Sequence, residues 1–114
     1  MGKKLISNKP KPEGEAGVYQ IPCSNCNLVY YGETGRSFSV RLKEHRNDVK
    51  NCNESNAAFI HKIRNDHAIN WNQAKILFKS NDYFKRRLVE SSLIGSYPNF
   101  NLSEGHFEFK KGYS

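Results

Sequence analysis

The sequence has no apolar run approaching the roughly 20 residues a helix needs to cross a bilayer. Its opening residues, MGKKLIS, lack the apolar core of a secretory signal, and their serine falls one residue late for N-myristoylation. A soluble, intracellular chain without membrane attachment is expected. Cysteine is scarce and odd in number, three in 114 residues. That argues against a paired disulfide framework and for a reducing compartment in which thiols stay free or hold metal. The Asn-x-Ser triplets at Asn53 and Asn101 then read as incidental. No internal repeat is present. Hydrophobic residues make up only 37% of the chain, enough for one modest core and one domain. Acidic residues are the minority: 18 Lys and Arg face 11 Asp and Glu, giving a net charge of +7 and a pI near 9.4. Such a balance favours an anionic partner, nucleic acid or an anionic surface, without choosing between them.

Residues 1–16 combine two prolines, two glycines and four lysines with no periodicity. They read as a flexible basic arm, either an appended leader or a tail that contacts phosphates. Order is expected from Gly17, where GVYQIPC and LVYYGET form two short β-rich segments. If Ser24-Asn25 were a two-residue turn, antiparallel pairing would set Tyr19 opposite Tyr30 on one face of the hairpin. A first helix is expected from a Ser37 cap to about Lys50, with the stripe Phe38, Leu42, His45, Val49 aimed at the core. NAAFIHKIRND fits a second helix capped by Asn56, and AKILFKS a third strand. A third helix should run from an Asp82 cap to near Gly95 and Pro98. The sum is an α+β fold: a small mixed three-stranded sheet flanked by helices, spanning 17–105, with 106–114 as a C-terminal tail.

Cys23 and Cys26 form a Cys-x2-Cys pair between strands. A redox pair normally opens a helix that lowers the thiol pKa, so a redox role is disfavoured. His61 and His67 follow as His-x5-His. Together they have the ligand types of a tetrahedral Cys2His2 zinc site, although the gap between the pairs exceeds that of an ordinary zinc finger. Two reduced cysteines and two surface histidines remain the alternative. Taken singly, Tyr19 and Tyr30 read as a cross-strand aromatic pair, Arg41 and His45 as neighbours on a helix, and Glu90 as a surface partner of Arg86.

The set Gly17-Val18-Tyr19, Tyr30-Tyr31-Gly32, GRSFSVRLKEH with Arg41 and His45, then Glu90 and Asn101, resembles the GIY-YIG endonucleases in order and spacing. Val18 keeps the packing role of the motif's isoleucine. Tyr31 replaces the second isoleucine with a larger ring that alternation sends to the face opposite Tyr30. The Cys23, Cys26, His61, His67 set with HAINWNQAKIL is similar to the zinc-containing endonuclease domain of Penelope-like retroelements.

This resemblance implies a metal-dependent DNA endonuclease serving retroelement integration, in the nucleus, with no small-molecule substrate. Catalytic roles would fall on Tyr19, Tyr30, Arg41, His45, Glu90 and Asn101. Arg41 would hold the phosphate, and Glu90 a catalytic Mg²⁺ or Mn²⁺. Tyr19 would deprotonate or position the attacking water, with Tyr30 in the same network and His45 as proton relay. A structural Zn²⁺ would clamp the hairpin through Cys23, Cys26, His61 and His67. Lys43, Arg46, Lys62 and Arg64 would meet DNA phosphates. The alternative is a noncatalytic, zinc-stabilised nucleic-acid-binding module.

Overall fold

In the computed structural model, which describes residues 15–102, the two β-rich segments become β1 (Gly17–Pro22) and β2 (Val29–Thr34). The helix α1 (Phe38–Lys50) follows, then α2 (Ala57–Asn65), a 3₁₀ turn (Trp71–Gln73), β3 (Lys75–Lys79) and α3 (Tyr83–Ser96). Most of the arm, residues 103–105 and the C-terminal tail lie outside the described residues.

Each helix begins at the expected cap. The Asn56 side chain accepts from the Ala58 N–H, and Asp82 accepts from Lys85, satisfying donors that the first turn leaves open. Ser37 takes the N-cap position of α1 but makes no such bond, its hydroxyl lying 3.1 Å from that of Ser39. Along α1 the stripe faces inward, with Phe38 and His45 buried and Leu42 and Val49 packed on the core.

The sheet order is β2-β1-β3, and both ladders are antiparallel where a mixed sheet is expected from sequence. The only parallel pairing among the described residues is an isolated bridge between Val29 and Asn99. It runs along the edge of β2 that β1 leaves unpaired.

The hairpin register also differs from the expected one. Tyr19 pairs with Gly32, and Tyr30 with Ile21. The two-residue turn gives way to a longer loop closed by Cys23 N–H donating to the Leu28 carbonyl at 3.1 Å. Residues 68–70 hold this loop: Ser24 N–H donates to the Ala68 carbonyl, Ala68 N–H to Asn25 Oδ1, and Asn70 N–H to the Pro22 carbonyl. Tyr19's partner has moved by two positions. Because side chains alternate with period two, Tyr19 and Tyr30 still share a face, with ring centroids 6.3 Å apart.

Val18, Tyr19 and Ile21 are the most completely buried large side chains. Tyr19, Ile21, Phe38, Ala57, Ala58, Ile69 and Phe100 form one apolar cluster in which β1 meets α1 and α2. On α3 the buried residue is Arg86, which the residue-by-residue alternative puts on the surface as a partner of Glu90. Its guanidinium instead donates to Glu33 at 2.7 Å and to the Ser80 carbonyl, fastening α3 to β2.

Candidate functional site

Beside the outer edge of β2 a cleft of about 530 Å³ opens between α1, α3 and the segment after α3. β2 supplies Tyr30 and Glu33; α1 supplies Arg41, His45 and Asp48. Asn56 comes from the start of α2, Arg87 and Glu90 from α3, and Asn101 from the segment after α3. Five of the six expected catalytic residues therefore line one cleft. The sixth, Tyr19, lies beneath it, 1% exposed, and reaches it by hydrogen bonding.

The glycines of the two short motifs follow from close approach. A Cβ on Gly32 would fall on the Tyr19 phenol, and one on Gly17 would meet the Phe78 carbonyl beside the irregular register at Val18 and Tyr19. Both places require a residue without a side chain.

Buried polar groups connect below the cleft. The Tyr19 hydroxyl lies 2.8 Å from His45 Nε2, and His45 Nδ1 lies 3.0 Å from Asn56 Nδ2. Asn56 Nδ2 also donates to Asp48 Oδ2 at 3.1 Å. The rings of Tyr19 and Tyr30 both meet His45 edge-on. Burial, aided by the charge of Arg41, holds His45 down at about 4, so the ring is neutral at physiological pH. Tyr19 is raised well above the ordinary phenol range, first by burial and then by Tyr30, with Arg41 acting in the opposite sense. Tyr30 is pushed up to about 12, chiefly by burial and then by Glu90.

Glu90 is the perturbed carboxyl that faces the cleft. Burial raises it to about 7, Arg87 acts against that rise, and Glu33 adds to it. Arg87 Nε lies 3.6 Å from its carboxylate. Burial outweighs the nearby Arg87 in holding this carboxyl high, and a divalent cation on its hard oxygens would favour the charged form. Arg41 is half-buried, linked to Glu44 at 2.9 Å, which is itself held by Arg36. Asn101 acts on the backbone. Its side-chain amide donates to the Tyr31 carbonyl at 2.7 Å and accepts from the Tyr31 N–H at 2.9 Å, extending the β2 edge as a strand would.

The expected metal ligands also converge. One ligand atom each from Cys23, Cys26, His61 and His67 lies within 4.8 Å of the other three. His61 Nε2 and His67 Nδ1 are 3.3 Å apart; Cys23 Sγ is 3.3 Å from His67 Nδ1, and Cys26 Sγ 3.5 Å from His61 Nε2. A zinc tetrahedron with ordinary bond lengths has N–N edges of about 3.3 Å and N–S edges of about 3.6 Å. The four residues fit that ion. Burial, with His67 beside it, holds His61 below the ordinary imidazole range, in the neutral form that ligates. His61 also stacks on Phe100, centroids 4.3 Å apart, so the cluster buttresses the segment that carries Asn101.

Of the residues expected on DNA phosphates, Lys43, Arg46, Lys62 and Arg64 are all exposed and none lines the cleft. Arg46 lies 6.0 Å over the Trp71 ring. Sequence reasoning misses Glu33, Asp48, Asn56 and Arg87. Asn56 is readable as a cap, but nothing in the sequence signals that its other side-chain atom meets His45.

No functionally curated protein and no solved structure matches the chain. Residues 15–97 match the family model described as the GIY-YIG catalytic domain, whose range takes in both tyrosine motifs, Arg41, His45 and Glu90. With that match over most of its length, the chain belongs to the GIY-YIG catalytic domain family, a nuclease-type fold.

Proposed function

We propose that the protein is a metal-dependent DNA endonuclease that hydrolyses phosphodiester bonds in the cleft at the β2 edge. The observation that carries this reading is the joint presence there of Arg41, the half-buried Glu90 carboxyl and the Tyr30–His45–Tyr19 array. Hydrolysis needs charge compensation at the phosphoryl oxygens and a placed water. Arg41, charged at any relevant pH, binds the phosphate through its planar fork. Glu90 would hold Mg²⁺ or Mn²⁺, which when bound supplies Lewis acidity and lowers the pKa of its water. Tyr30 faces the cleft and orients the water by hydrogen bonding. Tyr19, whose burial keeps the phenol protonated, acts as a positioning group. Asn101 holds the β2 edge straight beside Tyr30.

In the same reading Zn²⁺ bound by Cys23, Cys26, His61 and His67 is structural, and the exposed Lys43, Arg46, Lys62 and Arg64 extend a basic surface for the DNA backbone. The likeness of the Cys2His2 set to Penelope-like endonuclease domains supports a role in retroelement integration, with nuclear DNA as target. Incubating the purified chain with supercoiled plasmid, with Mg²⁺ and with chelator, tests the proposal. Metal-dependent relaxation or linearisation is expected; a chain that binds DNA but does not cut it, whichever divalent metal is supplied, is instead a noncatalytic binding module.

A further inference from the structure

We infer that Asn56 is a positioning residue: by capping α2 it fixes the His45 tautomer and makes His45 Nε2–H a donor to Tyr19. The inference rests on the nuclease reading for its effect on cleavage, but its structural half stands apart from it.

The orientation of the Asn56 amide is set from two sides. Its Oδ1 accepts from the Ala58 N–H at 2.9 Å, and its Nδ2 donates to Asp48 Oδ2 at 3.1 Å. Turning the amide over would put two donors face to face at Ala58 and two acceptors face to face at Asp48. With Nδ2 so fixed, the 3.0 Å contact makes His45 Nδ1 the acceptor. A neutral imidazole carries one proton, so that proton sits on Nε2, aimed at the Tyr19 oxygen 2.8 Å away. Asn56, His45 and Tyr19 are all buried, so water does not relax this assignment.

The consequence corrects the simplest proton-relay role for His45. Its Nε2 already bears hydrogen and cannot take a proton from Tyr19. It stabilises negative charge on the Tyr19 oxygen, and it leaves the phenol's own proton free to point elsewhere. A helix cap thereby sets the direction of a hydrogen bond under the cleft. The effect depends on the donor–acceptor order across Asp48, Asn56, His45 and Tyr19, not on cap strength.

A swap variant, Asp48→Asn with Asn56→Asp, tests this. It keeps the net charge, keeps a cap that accepts from Ala58, and keeps a hydrogen bond between positions 48 and 56. Only the group facing His45 Nδ1 changes, from donor to carboxylate. Nitrogen-15 NMR of the imidazoles, with His45 assigned by its disappearance in His45→Gln, reads the tautomer directly. The parent should show Nε2–H, and the swap a protonated Nδ1. Plasmid cleavage at pH 7 should fall about 100-fold in the swap, the scale of one misplaced group at a site that depends on positioning. Nδ1–H in the parent overturns the inference, as does an unchanged tautomer in the swap. So does a swap with protonated Nδ1 that cuts at the parent rate. If the swap does not fold, the parent spectrum alone decides the tautomer. A parent that shows Nε2–H but never cuts would refute the nuclease reading and leave the tautomer assignment in place.

Discussion

Tyr19 and Gly32 are direct partners across the hairpin, and the Tyr19 phenol occupies the space that a Cβ at Gly32 would need. The glycine is thus part of the site's geometry. In an ordinary strand, Gly→Ala raises stability by about 0.5–1 kcal/mol. Here Gly32→Ala should lower it by about 1–3 kcal/mol through overpacking, and abolish cleavage by moving Tyr19 away from His45. Thermal melts and plasmid assays of this variant check both effects; a stabilised, active Gly32→Ala protein would contradict the placement.

The Cys2His2 cluster leads to a second prediction. Cys26→Ser or His61→Ala should lower zinc content and melting temperature together, because binding of a structural metal is folding free energy. Cleavage should fall as well, since His61 stacks on Phe100 beside Asn101. Elemental analysis of protein purified without chelators decides it: absence of zinc from the parent sinks the proposal.

Arg86 is buried and its partner Glu33 is half-buried, with side chains 8% and 19% exposed. Removing one partner strands the other, so Arg86→Ala should cost about 3–5 kcal/mol in urea unfolding. A loss below about 1 kcal/mol would show that α3 is fastened to β2 by other contacts.

Burial holds His45 at about 4 in the folded chain, against an ordinary 6.5. Between these values the unfolded chain binds the extra proton and the folded one does not. This contribution leaves stability intact above pH 6.5, erodes it as pH falls from 6.5 to 4, and totals about 3 kcal/mol. His45→Gln lacks the titration, so its stability should gain on the parent's across that window. Parallel unfolding curves of the two proteins from pH 7 to pH 4 would refute the buried, neutral assignment.

Much of this architecture is legible in the sequence because local signals agree. Asn56 and Asp82 cap the helices where they stand, and Phe38, Leu42, His45 and Val49 turn one face of α1 inward. The family resemblance gathers the cleft residues, which no periodicity on α3 would do. What escapes is long-range. The hairpin register depends on Ala68 and Asn70 bonding a loop more than 40 residues earlier in the chain. The burial of Arg86 depends on Glu33 across an interface that neither helix nor strand pattern encodes. The antiparallel pairing of β3 likewise follows from the path of the chain through α1 and α2, not from β3's own residues.

The central claim concerns Glu90, whose half-buried carboxylate is proposed to hold the catalytic metal. Its raised value means that the charged form is disfavoured in the metal-free fold, so Glu90→Gln should melt no lower than the parent at pH 8 in chelator. The decisive measurement is cleavage of supercoiled plasmid by Glu90→Gln and parent over a Mg²⁺ series, with DNA affinity measured alongside. The account predicts a metal-dependent parent, and a folded variant that binds DNA equally or slightly more tightly while its cleavage falls at least about 100-fold. A folded Glu90→Gln protein that cuts at the parent rate would contradict it.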